Sequence, residues 1–120
     1  MRSTASARRS AADDRLDRAF HALGDRTRRA LLARLAQGPA MVTELAAPHP
    51  MSLAAVSKHI RVLESAGLVS RAVDGRVHHC SLATAPLEEI EAWVDFYRGF
   101  WSGTLDSLAR HVEGGNGRRR

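Results

Sequence analysis

The chain has 120 residues, a formal net charge of +5 and a single cysteine, which fits one modest domain for which dimerisation would add buried apolar surface. No apolar run approaches the roughly 20 residues of a membrane helix, and the arginine-bearing start MRSTASARRSAADD leads into no hydrophobic stretch, so neither a membrane span nor a secretory signal is expected. Cys80 has no intramolecular disulfide partner, in keeping with a reducing, cytoplasmic compartment.

The charge is unevenly placed. Arg2, Arg8, Arg9, Arg118, Arg119 and Arg120 sit in ends rich in Ser, Ala and Gly, which predicts disordered basic tails over residues 1–12 and 114–120. Between them, residues 13–85 hold 10 basic and 7 acidic side chains, whereas residues 86–113 hold 2 and 6. The two stretches are expected to meet different partners, the first of them acidic.

Along the chain, Leu16, Ala19, Phe20 and Leu23 recur at helical spacing and predict a first helix over 13–23, ended by Gly24. Asp25 is placed to cap the next helix, whose core face is Leu31, Leu32 and Leu35 and whose stop is Gly38-Pro39. Arg26, Arg28 and Arg29 crowd its first turn, against the helix dipole. They are therefore expected to serve an outside anion such as DNA phosphate, the alternative being a solvated basic turn. A short third helix over 42–47, with Glu44 in its first turn, ends at Pro48-His49-Pro50, a stiff turn of helix-turn-helix length.

The fourth helix follows, N-capped by Ser52 and closed by Gly67. Leu53, Val56, Ile60 and Leu63 form its expected buried stripe, leaving Ala54, Ala55, Ser57, Lys58 and Arg61 on a small, basic face. Such a face suits a major groove about 12 Å wide, because short side chains let the helix approach base edges. It equally suits an ordinary solvated helix. Asp74-Gly75 between two strand-like runs, 68–73 and 76–82, predicts a hairpin with a two-residue type I′ turn. Arg71 and Arg76 flank it, within reach of phosphates or a minor groove.

A long last helix over 86–112 carries Leu87, Ile90, Val94, Tyr97, Trp101, Leu105, Leu108 and Val112 at spacings of three and four, with Trp93, Phe96 and Phe100 as a second stripe. That apolar surface is wider than packing on one domain requires, so it is expected to meet another subunit. Gly99 and Gly103 each cost about 1 kcal/mol against alanine in a helix interior, which close approach of a partner helix would offset. A tolerated kink in a core helix is the other reading.

The runs Ala22-Leu23-Gly24-Asp25-Arg26-Thr27-Arg28-Arg29, Glu44-Leu45-Ala46, Val56-Ser57-Lys58-His59-Ile60-Arg61-Val62-Leu63, Ala66-Gly67-Leu68-Val69 and Gly75-Arg76, in that order, resemble the ArsR/SmtB-type winged helix-turn-helix repressors. The resemblance covers about residues 15–110 and is most specific in the middle. It implies a mainly α fold with a small β-hairpin, a homodimer, and a DNA-binding transcriptional regulator, usually a repressor of its own operon. Residues 13–85 would form the DNA-binding domain and 86–113 the dimerisation helix. The family's recognition helix carries over to Ser52 through Leu63, so Ser52, Ala54, Ala55, Ser57, Lys58, His59 and Arg61 are candidate contacts to double-stranded DNA, joined by Arg28, Arg71 and Arg76. His59 is open to a half-buried structural role as well. The dimer interface implied by the resemblance and the helix pattern comprises Leu16, Phe20, Ile90, Trp93, Val94, Tyr97, Gly99, Trp101, Gly103, Leu105 and Leu108.

Metal-sensing members carry a cysteine pair before the turn; here Glu44-Leu45-Ala46-Ala47-Pro48-His49 has none, so soft metals lose their thiolates. Asp106 and His111, five apart, do not share a helical face. The chain resembles a branch without a metal site, and no metal or cofactor is expected. Two further readings stay open: a metal- or thiol-responsive repressor built on His78 and Cys80, with His79 on the opposite strand face, and a winged protein-interaction module that docks through its aromatic helix. Catalysis is not expected, since Cys80 has neither a positioned base nor a nucleophile turn around it.

Overall fold

Capping and helix-forming residues set the first two elements. A computed structural model describes residues 4–114, without the side chains of 4–6, 104–107 and 113–114. Helix α1 spans Thr4–Leu23 and begins well before the apolar pattern at Leu16, because the Ala- and Arg-rich segment from Ala5 to Ala12 consists largely of strong helix formers. The disordered stretch expected over 1–12 is thus corrected from Thr4 onward; residues 1–3 and 115–120 lie outside the described residues. Helix α1 buries Ala19 and Ala22, while Phe20 is exposed. Helix α2, Arg26–Leu35, is capped by Asp25, whose Oδ2 accepts from the amide of Arg28 at 3.0 Å, and it buries Leu31, Leu32 and Leu35.

A two-residue strand β1, Ala40–Met41, leads into helix α3, Val42–Ala46, where Glu44 reaches back to accept from the amide of Met41 at 2.8 Å. Helix α4, Leu53–Ser65, starts with the Ser52 hydroxyl accepting from Ala55 at 3.1 Å. It ends in a Schellman pair: Leu68 donates to the Leu63 carbonyl and Gly67 to that of Glu64, both at 2.9 Å. Gly67 sits at φ +77°, the left-handed value this closure requires, and a Cβ there would meet Pro86 Cγ at 3.3 Å. Val56, Ile60 and Leu63 are fully buried. Leu53 departs from the expected stripe at 51% exposed. It is the first residue of the helix, and side chains lean toward the N-terminus, so it projects past the elements that cover Val56.

Strands β2, Val69–Asp74, and β3, Val77–Leu82, form the wing, and β1 adds to β3 with Ala40 opposite Cys80, giving the antiparallel order β1-β3-β2. The hairpin loop is one residue displaced from expectation. Asp74 pairs with Val77, so the loop residues are Gly75 and Arg76. Gly75 has φ +63° and, among the described residues, no non-glycine residue has positive φ, whereas a type I′ turn needs positive φ at both central positions; glycine first and an ordinary residue second is the type II′ pattern. Arg76 therefore occupies the tip itself.

Helix α5, Ala85–Gly114, crosses between two compact units, which meet at Glu89 and Ile90 rather than at the expected 85/86. Its first turn belongs to the first unit, where Leu87 packs on the core formed around Leu31, Leu45, Ile60, Leu63 and Cys80. In the second unit α5 carries an exposed aromatic run: Trp93 and Tyr97 have ring centroids 4.8 Å apart, Phe96 and Tyr97 4.9 Å. A Cβ added at Gly99 or Gly103 would meet nothing within 4 Å. The side chains of Leu105 and Asp106 lie outside the described residues. Among the described residues no helix is long and apolar enough to cross a membrane.

Candidate nucleic-acid interface

The exposed face of α4 starts from its cap. Ser52, Leu53 and Ala54 are exposed in the first turn, Ala55 and Ser57 half-buried, and Lys58 and Arg61 exposed one and two turns on. Lys58 and Arg61 have no hydrogen-bond or ion-pair partner among the described residues, and the same holds for Arg76 at the wing tip. These three cations are available to an outside anion.

The other three positively charged or ionisable candidates are held differently. Arg28 donates from Nε to the Ala22 carbonyl at 2.6 Å and from Nη2 to that of His21 at 3.0 Å, while Arg29 donates to Leu23 O at 2.7 Å. Their guanidinium groups thus satisfy carbonyls at the C-terminus of α1, where the helix dipole favours cations. The expectation that the basic first turn of α2 is spared from structural duty is corrected for both residues: their charges offset the end of the preceding helix. Arg26 stays exposed.

His59 closes this cluster. Its Nδ1 lies 3.2 Å from Arg28 Nη1 and 3.9 Å from Asp25 Oδ2. A guanidinium only donates, so Nδ1 accepts and the ring proton sits on Nε2. The Asp25 carboxyl is held below its ordinary 3.8, first by the hydrogen bond from the Arg28 amide, with burial opposing and the Arg28 charge assisting. His59 thereby braces the middle of α4 against the start of α2.

Arg71 forms a second brace. Its Nη2 donates to Glu64 Oε1 at 2.6 Å, and its Nη1 lies 3.1 Å from His78 Nδ1, which must again be the acceptor. Only 16% of the side chain is exposed, and Nε is buried with no hydrogen-bond partner. The last turn of α4 is so tied to both wing strands. Sequence reasoning found Arg71 but missed Glu64; the seven-residue separation across a Gly67 turn is the signal that would pair them.

Cys80 is fully buried in the core, and burial pushes its thiol above the ordinary value, so it is held as a neutral thiol at physiological pH. His78 shares its strand face but is engaged by Arg71. Among the described residues no three His, Cys, Asp or Glu side chains converge as metal ligands.

This layout has known counterparts. Residues 23–71 match the family described as a helix-turn-helix domain. The HTH-type transcriptional regulator Rv2034 of Mycobacterium tuberculosis is 39% identical over 97 residues, 81% of this chain and 88% of that protein. A crystal structure of an ArsR family transcriptional regulator, RHA00566, is 41% identical, covers 75% of this chain and 93% of its own, and has a TM-score of 0.71. The chain belongs to the ArsR family of winged helix-turn-helix transcriptional regulators. A further relative in fold, a fragment of Mb0332 of Mycobacterium bovis described as a possible ArsR-family transcriptional regulator, was solved by NMR as a homodimeric winged helix-turn-helix DNA-binding domain; it is 28% identical over 82% of this chain and 88% of its own, with a TM-score of 0.63. In this ArsR-family chain the matched segment contains Asp25, Arg28, His59, Glu64 and Arg71, while His78 of the second brace lies beyond it on β3.

Proposed function

We propose that this ArsR-family regulator acts in the cytoplasm as a homodimeric repressor, without catalytic activity, binding a pseudo-palindromic operator near its own gene. The observation that carries the reading is the exposed face of α4 ending in Lys58 and Arg61, with Arg76 at the wing tip, three cations without a partner among the described residues. Ser52, Ala54, Ala55 and Ser57 would approach the bases; His59, Arg28 and Arg71 hold α4 and the wing in position. Two recognition helices related by a two-fold axis would enter successive major grooves about 34 Å apart. Exposed Trp93, Tyr97, Trp101 and Leu108 supply the apolar surface for a second copy, with the open backbone at Gly99 and Gly103 between them.

Duplex binding measured by fluorescence anisotropy across a salt series tests this. Each phosphate contact contributes about one unit to the slope of log affinity against log salt, so Lys58→Ala, removing one contact per protomer, should lower the slope of a dimer by about two. Affinity independent of salt, or a slope unchanged in Lys58→Ala, refutes the assignment.

A further inference from the structure

A helix that reads bases through hydrogen bonds presents Arg, Lys, Asn or Gln to the groove edge. The first turn of α4 presents none: it runs Leu53, Ala54, Ala55, and the Ser52 hydroxyl, which accepts from the Ala55 amide, is the one short polar group beside them. The most prominent side chain there is Leu53, 51% exposed. It lines a groove of about 280 Å³ between α4 and the wing, bordered by Thr43, Ser57, His78, Arg76 and Val77, the last 40% exposed. A leucine kept half in water at the mouth of a folded domain has apolar surface left to bury.

The surroundings fix what buries it. Arg76 borders the groove itself, and Lys58 and Arg61 are exposed further along the same helix, each without a partner among the described residues, so this surface complements a polyanion rather than another basic winged domain. Of the groups base pairs display in the major groove, the apolar one is the C5-methyl of thymine. We infer that Leu53 is a specificity-determining residue that packs on a thymine methyl in each operator half-site, so that this regulator selects its operator there by methyl contact. The inference rests on the DNA-binding reading above and adds to it which chemical group is read.

The full chain should first select its operator from a random duplex pool. Each half-site thymine is then replaced in turn, symmetrically, by deoxyuridine, which lacks only the methyl. One position is expected to lose about fourfold affinity per half-site, the equivalent of one methyl removed from contact. In Leu53→Ala that sensitivity should vanish, with operator affinity reduced and binding to unrelated duplex at the same salt unchanged. Alanine is a strong helix former at an exposed helix position, and thermal unfolding checks that the variant folds. The inference fails if no thymine responds to uridine, if the response persists undiminished in Leu53→Ala, or if the variant alters self-association while operator affinity stays constant. Selection of a defined sequence with no uridine effect overturns the leucine assignment alone; failure of the wild-type chain to bind any duplex overturns the functional reading with it.

Discussion

Asp25 shows how much one side chain settles at the helix-turn-helix. It caps α2 and stands beside His59, and its carboxyl is depressed chiefly by the Arg28 amide. A group whose folded pKa lies below its unfolded value stabilises the fold above the unfolded value and ceases to do so as pH falls through the folded one. Asp25→Ala should therefore cost about 1 kcal/mol near neutrality, within the range of N-cap losses. The gap between wild type and variant should close as pH drops below the ordinary carboxylate value of 3.8. Urea midpoints of the two proteins, measured in parallel from neutral to acid pH, give the answer; a gap that is constant with pH contradicts it.

At the scale of elements, Gly67 joins α4 to the wing. An L-residue in the left-handed region costs about 1–2 kcal/mol, and here the added Cβ also presses on Pro86 Cγ at 3.3 Å. Gly67→Ala should lower the urea midpoint by at least that backbone cost and weaken operator binding as the wing shifts. A fully stable variant would mean that the Schellman closure is dispensable. The elements themselves were largely legible, for local reasons: Ser52, Asp25, Gly67 and the three- and four-residue spacings each act within a turn or two of chain. What escaped is non-local. Strand β1 is two residues long and exists because Ala40 meets Cys80, which no local pattern encodes. The hairpin slipped by one because cross-strand pairing of Asp74 with Val77, and not the Asp-Gly dipeptide, decided the loop. Of the candidate site, the unpaired cations were legible as exposed basic positions, but the partners of Arg28 and Arg71 lie on other elements, and Leu53 has the helical phase of a core residue while sitting beyond the core's edge.

For the molecule as the proposed dimer, α5 offers a test with opposite signs. In an isolated chain Gly99→Ala and Gly103→Ala fill open space and relieve about 1 kcal/mol of helix cost each. Where two backbones approach at these glycines, the added methyl groups overpack the contact by about 1–3 kcal/mol, a loss of roughly ten- to a hundredfold in dimer affinity. Sedimentation equilibrium of the double variant should then show weaker association, while circular dichroism at low concentration shows no loss of helix. Unchanged association places the partner surface elsewhere.

Arg28 carries a consequence that a count of charges conceals. One rigid planar group is shared by the carbonyls of Ala22 and His21 at the end of α1 and by His59 in the middle of α4, so it works as a pin through two helices. Lysine would keep the charge and three donors, but on a single nitrogen, so it could not span the acceptors that Arg28 reaches from Nε, Nη1 and Nη2. Arg28→Lys should therefore behave as a loss, lowering stability and operator affinity together with the salt slope unchanged. The pin also gives the last turn of α1 a polar link to α4 beside the core they share through Ala22, Val56 and Ile60, so a displacement of one helix is felt by the other through hydrogen bonds as well as through packing.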